Sequence, residues 1–311
     1  MDALTSLLDG PRARGAFLLR AILTPPWAVR VRDEAPLTVL CATRGSAWIL
    51  PDAADGERIA LAPGDIAVVR GPDPYTVADD PATEPEAEIR PGGCGFAPDG
   101  TDLCEAMDLG VRTWGTDPEG PTELLIGTYR LPHEVGGRLF RALPPVAVLR
   151  ADDWECGLLP VFAAEMARAD PGQEVVLDRV LDLLLISVLR AWFARPEAEA
   201  PAWYRAHGDP VVGRALRLIH DHPGHPWTVS ALAEKAGVSR AALARRFAAL
   251  VGEPPMAYLT RWRLDLAADL LREPDVTVES VARRVGYSTA FALSTAFKRE
   301  RGISPREHRS G

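Results

Sequence analysis

The sequence predicts an α+β multidomain fold, with a strand-rich front half followed by helices and an all-α tail. Three observations predict it. Short apolar runs of alternating parity, broken by Gly and Pro, fill residues 17–130. In the last third, a pattern of short helix, Gly turn and second helix occurs twice, 49 residues apart. Charge divides along the same line: from Asp209 onward there are 16 Lys+Arg against 11 Asp+Glu, whereas residues 1–208 hold 19 against 32. At 311 residues and net charge −8, the chain exceeds one typical domain, and its basic excess is confined to the tail.

In the front half, Leu37/Val39/Cys41, Ile59/Leu61 and Ile66/Val68 are expected to point inward at period two, with Gly45, Pro51, Gly56 and Pro63-Gly64 at the turns. Strands this short favour a small sandwich or barrel, assigned to residues 1–150. Residues 151–196 hold two helical runs. The second carries a Val176/Val180/Leu183 stripe beside a Leu177/Leu181/Leu184/Val188 stripe, so it needs cover on two sides. The strands supply one cover, and the other is either the first helix, Trp154–Met166, or a partner subunit. Residues 197–209, rich in Ala, Glu and Pro, read as a linker.

Residues 210–311 form the helical tail. Its first copy runs from Thr228 through Gly237 and Ser239 to Phe247, its second from Thr277 through Gly286 and Ser288 to Phe297. In each, Thr caps a short amphipathic helix and Gly supplies the left-handed backbone of a tight turn. Ser then opens a second helix with a buried stripe, Leu243/Phe247 or Leu293/Phe297. That is a helix-turn-helix, and its second helix suits a DNA major groove. Residues Pro255–Glu273 read as one helix with Leu259, Trp262, Leu266 and Leu270 on one face. Such a connector would hold the two recognition helices at a fixed separation, about 34 Å for adjacent turns of one groove. Ser304-Pro305-Arg306-Glu307 is a capping box with Pro at the first helical position.

Glu253-Pro-Pro-Met-Ala-Tyr-Leu-Thr-Arg-Trp-Arg263, Val285-Gly-Tyr287 and Phe297-Lys-Arg-Glu-Arg-Gly-Ile-Ser-Pro-Arg306 resemble the AraC family of bacterial transcription regulators, over about 211–309. His308 departs from the Tyr or Phe usual there. The run from Leu61 through Pro63-Gly64-Asp65 to Tyr75 resembles the second cupin motif, so the front half is similar to a cupin-like β-barrel sensor. The resemblance implies a regulator of operator or promoter double-stranded DNA, with RNA polymerase as a further partner. It also implies a homodimer formed through the helices at 151–196, under control of a small molecule or an oxidant. Carried over residue by residue, the base-facing positions are Ala241, Ala244 and Arg245 in the first recognition helix. In the second they are Ala290, Phe291, Ala292, Ser294 and Thr295. Arg240, Arg246, Lys298 and the helix starts at Ser239 and Ser288/Thr289 suit phosphates. Within the first set, Arg245 alone can make a bidentate contact to guanine.

Cupin enzymes hold a metal with histidines, yet the first histidine here is His133 and the motif's expected His is Tyr75. This argues against a metallocupin oxygenase, and neither metal nor cofactor is expected. His220, His222 and His225 straddle a helix end and a Pro/Gly turn, which breaks ligand spacing. For sensing, Trp27, Trp48, Tyr75 and Phe96 are candidate walls of a cavity or ordinary core aromatics. Cys94 and Cys104, ten residues apart, are a candidate redox pair or inert thiols, whereas Cys41 reads as core. Met1-Asp-Ala-Leu-Thr-Ser lacks the basic flank and apolar core of a leader, and Val175–Ala194 is interrupted by four charges. Four cysteines without a CxxC pattern fit reduced cytoplasmic thiols. Two rival readings remain: a cupin enzyme with an accessory DNA-binding domain, and a constitutive DNA binder whose barrel only dimerises.

Overall fold

The computed structural model describes residues 16–53, 56–129, 137, 140–196, 198–273 and 275–310. The leader reading at Met1–Ser6 and His133 lie outside the described residues. The chain divides into two compact units, one holding described residues 16–129 and 143–198, the other holding 137, 140–142 and 199–310.

The first unit carries thirteen strands among its described residues: β1 Phe17–Leu23, β2 Ala28–Val31, β3 Leu37–Arg44, β4 Ala47–Pro51, β5 Ile59–Leu61, β6 Ile66–Arg70, β7 Tyr75–Ala78, β8 Ala87–Ile89, β9 Gly95–Phe96, β10 Asp108–Gly110, β11 Thr113–Gly115, β12 Thr122–Tyr129 and β13 Val146–Leu149. They form two sheets, ordered β10-β11-β1-β12-β3-β6-β13 and β5-β4-β7-β2-β8-β9. Pairing is antiparallel except where β1 meets β11 and β2 meets β8. One core joins the sheets, with Leu23, Leu40 and Leu124 from one and Ile49, Leu61 and Val77 from the other.

Among the described residues, no strand ladder closes the two sheets into the barrel that the cupin resemblance led us to expect. At the edges formed by β5 and β13, side chains take the place of a strand ladder. Arg150 donates to the Ala60 carbonyl (2.5 Å) and to Asp65 (2.8 Å), while Asp65 accepts from the Ala62 and Ala151 amides, both at 2.9 Å. Burial alone would raise the Asp65 pKa, but these amides and the guanidinium outweigh it and hold the carboxyl low.

Strand parity also differs from the sequence reading. Leu37, Val39 and Cys41 are opposite Tyr129, Gly127 and Leu125, on the face away from the inter-sheet core. That face is covered by helix α2 (Gln173–Phe193): a Cβ on Gly127 would lie 2.5 Å from Leu181 Cδ1, and the Tyr129 hydroxyl donates to Asp182 at 3.3 Å. Leu40 and Ala42 face the other way, so β3 is buried on both sides. A strand covered on both faces loses the alternation that marks a half-exposed one.

Helix α1 (Leu158–Met166) packs on α2, with Phe162 and Met166 buried. The Leu177/Leu181/Leu184/Val188 stripe of α2 is buried, but in the other stripe Val176 and Leu183 are 44% and 51% exposed. No helix among the described residues is long and apolar enough to cross a membrane.

The second unit contains α3 Ala202–Ala206, α4 Val212–Asp221, α5 Val229–Lys235, α6 Arg240–Val251, α7 Pro255–Leu271, α8 Val278–Arg284, α9 Ala290–Arg301 and α10 Pro305–Ser310. Helix α3 falls inside the span read as linker, because Trp203 and Ala206 are apolar enough to bury. The connector α7 does not present one stripe. Tyr258, Leu259 and Trp262 are buried in its first half, while Leu264, Ala267, Ala268 and Leu271 join the core around α8 and α9. Leu266 and Leu270 are only partly buried. The stripe turns because each half of the helix serves a different helix-turn-helix.

Candidate nucleic-acid interface and interior cavity

Both copies of the repeat fold alike. Thr228 Oγ1 accepts from the Ala231 amide and Thr277 Oγ1 from the Ser280 amide, each at 3.1 Å, so both Thr caps form. Gly237 and Gly286 make the turns at φ of 74° and 87°. Ser239 caps α6 through the Ala242 amide at 3.2 Å. The second copy differs by one residue: Thr289, not Ser288, caps α9, accepting from Ala292 at 3.1 Å. Its turn is one residue longer, so the recognition helices are offset by 50 residues. Each is 12 residues long and ends at a left-handed Gly, Gly252 or Gly302.

Ser239, Arg240, Ala241 and Arg245 are exposed on α6, with Ala244 half-buried beside them. Neither Arg240 nor Arg245 is ion-paired among the described residues. Arg246 differs from the sequence reading, because its guanidinium is committed within the protein. It donates to Asp209 at 2.5 and 2.9 Å, while the other Asp209 oxygen accepts from the Val211 and Val212 amides at the start of α4. On α9, Ser288, Thr289, Phe291, Thr295 and Lys298 are exposed and Ala290, Ala292 and Ser294 half-buried. Phe291 stands out at 81% exposure. The Ser294 hydroxyl donates back to the Ala290 carbonyl at 2.8 Å, and the Ala290 amide donates to Glu279 at 3.1 Å. That carboxylate occupies the first amide of α9, beside the Ser288/Thr289 start expected to suit phosphates.

A clamp fixes the second turn against the first unit of the repeat. Arg263 on α7 donates to the Pro223 and His225 carbonyls, both at 2.7 Å. A Cβ on Gly286 would meet the same guanidinium at 2.7 Å and the Gly224 carbonyl at 2.9 Å. His220 Nε2 is 2.8 Å from the Tyr258 hydroxyl in the first core. The capping box forms, with Ser304 and Glu307 bonded reciprocally at 2.7 and 3.3 Å. His308 reaches the Ala268 carbonyl at 3.2 Å, which anchors the last turn on α7.

In the strand-rich unit, a cavity of about 290 Å³ opens between the sheets. Alternate residues of β1 (Phe17, Leu19, Ala21, Leu23) and of β12 (Leu124, Ile126, Thr128) line it, with Trp27, Tyr75 and Trp114. Two of the four aromatic candidates are therefore at the cavity. Trp48 lies on the opposite face of its strand from Ile49, and Phe96 lies under the Arg90 guanidinium, 4.5 Å from the ring centre. Burial, and then the charge of Asp33, pushes the Tyr75 phenol up, against a hydrogen bond with Thr38. Asp33, Leu40, Val77 and Trp114 were not singled out by the sequence, because their shared wall depends on register between distant strands.

A second cavity of about 280 Å³ shares Phe17, Leu19 and Trp114 with the first and is walled by Cys94 and Cys104. The Cys104 thiol donates to Cys94 Sγ at 2.7 Å. Burial, and then that hydrogen bond, pushes the Cys104 thiol up to about 11. With Asp102, the pair places three ligating atoms within 4.8 Å of one another. Two thiolates on one zinc ion would stand about 3.8 Å apart, given Zn–S bonds near 2.3 Å. The observed spacing is nearer to a disulfide. Cys41 is fully buried, and its thiol is pushed up by that burial.

Comparisons with known proteins agree with both halves. A family model described as Cupin matches residues 2–194, and one described as Helix-turn-helix domain matches residues 232–311. An AraC-like transcription regulator of Streptomyces lividans is 33% identical over 317 residues, covering 99% of this chain and 98% of its own. The HTH-type transcriptional regulator AlkR of Acinetobacter baylyi is 29% identical over 319 residues, covering 99% of each chain. Among solved structures, an AraC-type regulator from Chromobacterium violaceum aligns with 34% of this chain and 94% of its own, at 28% identity and a TM-score of 0.32.

Proposed function

Because this chain belongs to the AraC family of transcription regulators, with a cupin domain ahead of its helix-turn-helix DNA-binding domain, we propose that both recognition helices engage one operator under control of a signal at the cupin domain. The observation that carries this is the pair of capped 12-residue helices, α6 and α9, joined by α7 and by the Arg263 clamp. A rigid pair reads two major-groove segments about 10 bp apart on one face of the duplex. In this reading Ala241, Ala244 and Arg245, with Ala290, Phe291, Ala292, Ser294 and Thr295, face bases. Ser239, Arg240, Ser288, Thr289 and Lys298 face phosphates, and Arg246 serves the fold first. Phe291 suits a thymine methyl, the apolar handle of the major groove.

The test is an operator titration in which about 5 bp are inserted between the two protected segments, half a helical turn. Specific binding should be abolished, because one helix is carried to the far side of the duplex. Unchanged affinity would mean that only one unit engages DNA.

For the signal, the cavity between the sheets favours a small-molecule effector: it is interior, largely apolar and furnished with a few polar groups. A second reading is an oxidant acting at Cys94 and Cys104, favoured by their 2.7 Å separation. Oxidation would join the sulfurs and pass two electrons and two protons to a peroxide, giving water and an alcohol. Operator affinity unmoved by peroxide would leave the cavity as the input. The exposed Val176 and Leu183 on α2 support a homodimer through that helix. A regulator of this kind works in the cytoplasm beside RNA polymerase and not as an enzyme, and Tyr75 at the expected histidine position supports the last point.

A further inference from the structure

We propose that α9 reads the 5-methyl group of pyrimidines through Phe291 and Thr295. It accepts 5-methylcytosine in place of thymine and rejects uracil, whereas α6 reads a guanine edge through Arg245. This rests on the reading above, in which both helices engage one operator, and names what the second helix recognises there.

The two helices align on their capping residues, Ser239 and Thr289. Ala241 then matches Phe291, and Arg245 matches Thr295, and all four side chains are exposed. The same two places carry a small residue and a fork of donors on α6, but a ring and a β-branched alcohol on α9. A guanidinium reads the O6 and N7 acceptors of guanine. A phenyl ring has no donor or acceptor, so it can meet only the apolar part of a base edge. In the major groove that part is the C5-methyl group.

The other groups of α9 leave little else to read with. The Ser294 hydroxyl donates to the Ala290 carbonyl at 2.8 Å, and Thr289 Oγ1 accepts from the Ala292 amide at 3.1 Å. Ala290 and Ala292 offer only methyls. Thr295 adds a methyl beside a hydroxyl that can donate or accept, so it does not separate adenine from guanine. Methylated cytosine carries its methyl at the same ring position as thymine, and the pair differs otherwise only in groups that this surface does not read. Phe291 is 81% exposed, whereas Phe297 on the same helix is fully buried, so the fold makes no use of the first ring. Lys298 and Arg299 continue the exposed face two turns on. A ring followed by two cations suits a groove walled by phosphates.

The probe is a double-stranded operator selected from random-sequence DNA by the full-length protein. Thymines in its protected segments are replaced one at a time by uracil, which removes only the methyl. In one segment, at least one replacement should weaken binding about fourfold, the worth of one buried methyl. Phe291→Ala should abolish that penalty and Arg245→Ala should leave it intact, both with unchanged circular dichroism spectra. At the sensitive position, a 5-methylcytosine–guanine pair should bind within about twofold of thymine–adenine, and an unmethylated cytosine–guanine pair about fourfold more weakly. Uracil tolerated at every position, a penalty that survives Phe291→Ala, or 5-methylcytosine no better than cytosine would overturn the inference. Inserting about 5 bp between the segments of the same duplex tests the reading beneath it. Binding lost on insertion but indifferent to uracil overturns this inference alone, whereas binding unchanged by insertion overturns the two-helix reading itself.

Discussion

Arg245 and Lys298 are both exposed cations on recognition helices, yet they should fail differently when removed. On the proposed assignment Arg245 faces bases, so Arg245→Ala should cost about 1–3 kcal/mol of operator affinity and relax preference at one base pair. Lys298, in the last turn of α9, is the proposed phosphate contact. Lys298→Ala should weaken binding to every sequence alike and lower the salt slope by about one unit. Competition against a set of single-base operator variants, repeated at two salt concentrations, measures both. A uniform loss from both substitutions would place the base-reading surface elsewhere. Arg246 shows what residue type alone conceals. It belongs to the same helix and carries the same charge, but its link to Asp209 makes it part of the fold.

At the scale of elements, the two turns offer a controlled comparison. Gly237 and Gly286 both have left-handed backbone, but the space beside Gly237 is open, whereas that beside Gly286 holds Arg263 and the Gly224 carbonyl. Gly237→Ala should cost about 1–2 kcal/mol, the strain of a left-handed Ala. Gly286→Ala should cost at least about 1 kcal/mol more, since it also displaces the guanidinium from two carbonyls. Urea denaturation of the two variants gives the difference, and equal losses would remove the clamp from the account. The sequence carried this region well because helix caps, turns and short buried stripes are local signals. What it could not carry was set by distant chain. The Thr289 cap was missed because Ser288 matched the first copy, and the turning stripe of α7 because helices on both sides share it. In the strand-rich half, period two was legible, but which face was inner was not. Helix α2, about 130 residues beyond β3, covers the outer face, so both faces of β3 are buried.

Across the whole first unit, the exposed apolar side of α2 asks for a partner. Leu183→Glu should convert a dimer to a monomer in sedimentation at micromolar concentration while the circular dichroism spectrum stays unchanged, because the side chain is half in water already. A variant that stays dimeric would move the interface off this helix. The same helix rests on β12, and β12 is a single strand with two duties. Leu124, Ile126 and Thr128 form a wall of the cavity, while Gly127 and Tyr129, between and beside them, carry Leu181 and Asp182 of α2. One thickness of backbone therefore separates the cavity from the helix that packs outside it. The contact at Gly127 is close, for a methyl group there would fit only if the Leu181 side chain shifted. Like a drumskin struck on one side and heard on the other, the strand would carry the pressure of the proposed effector inside to the helix that leans on it outside.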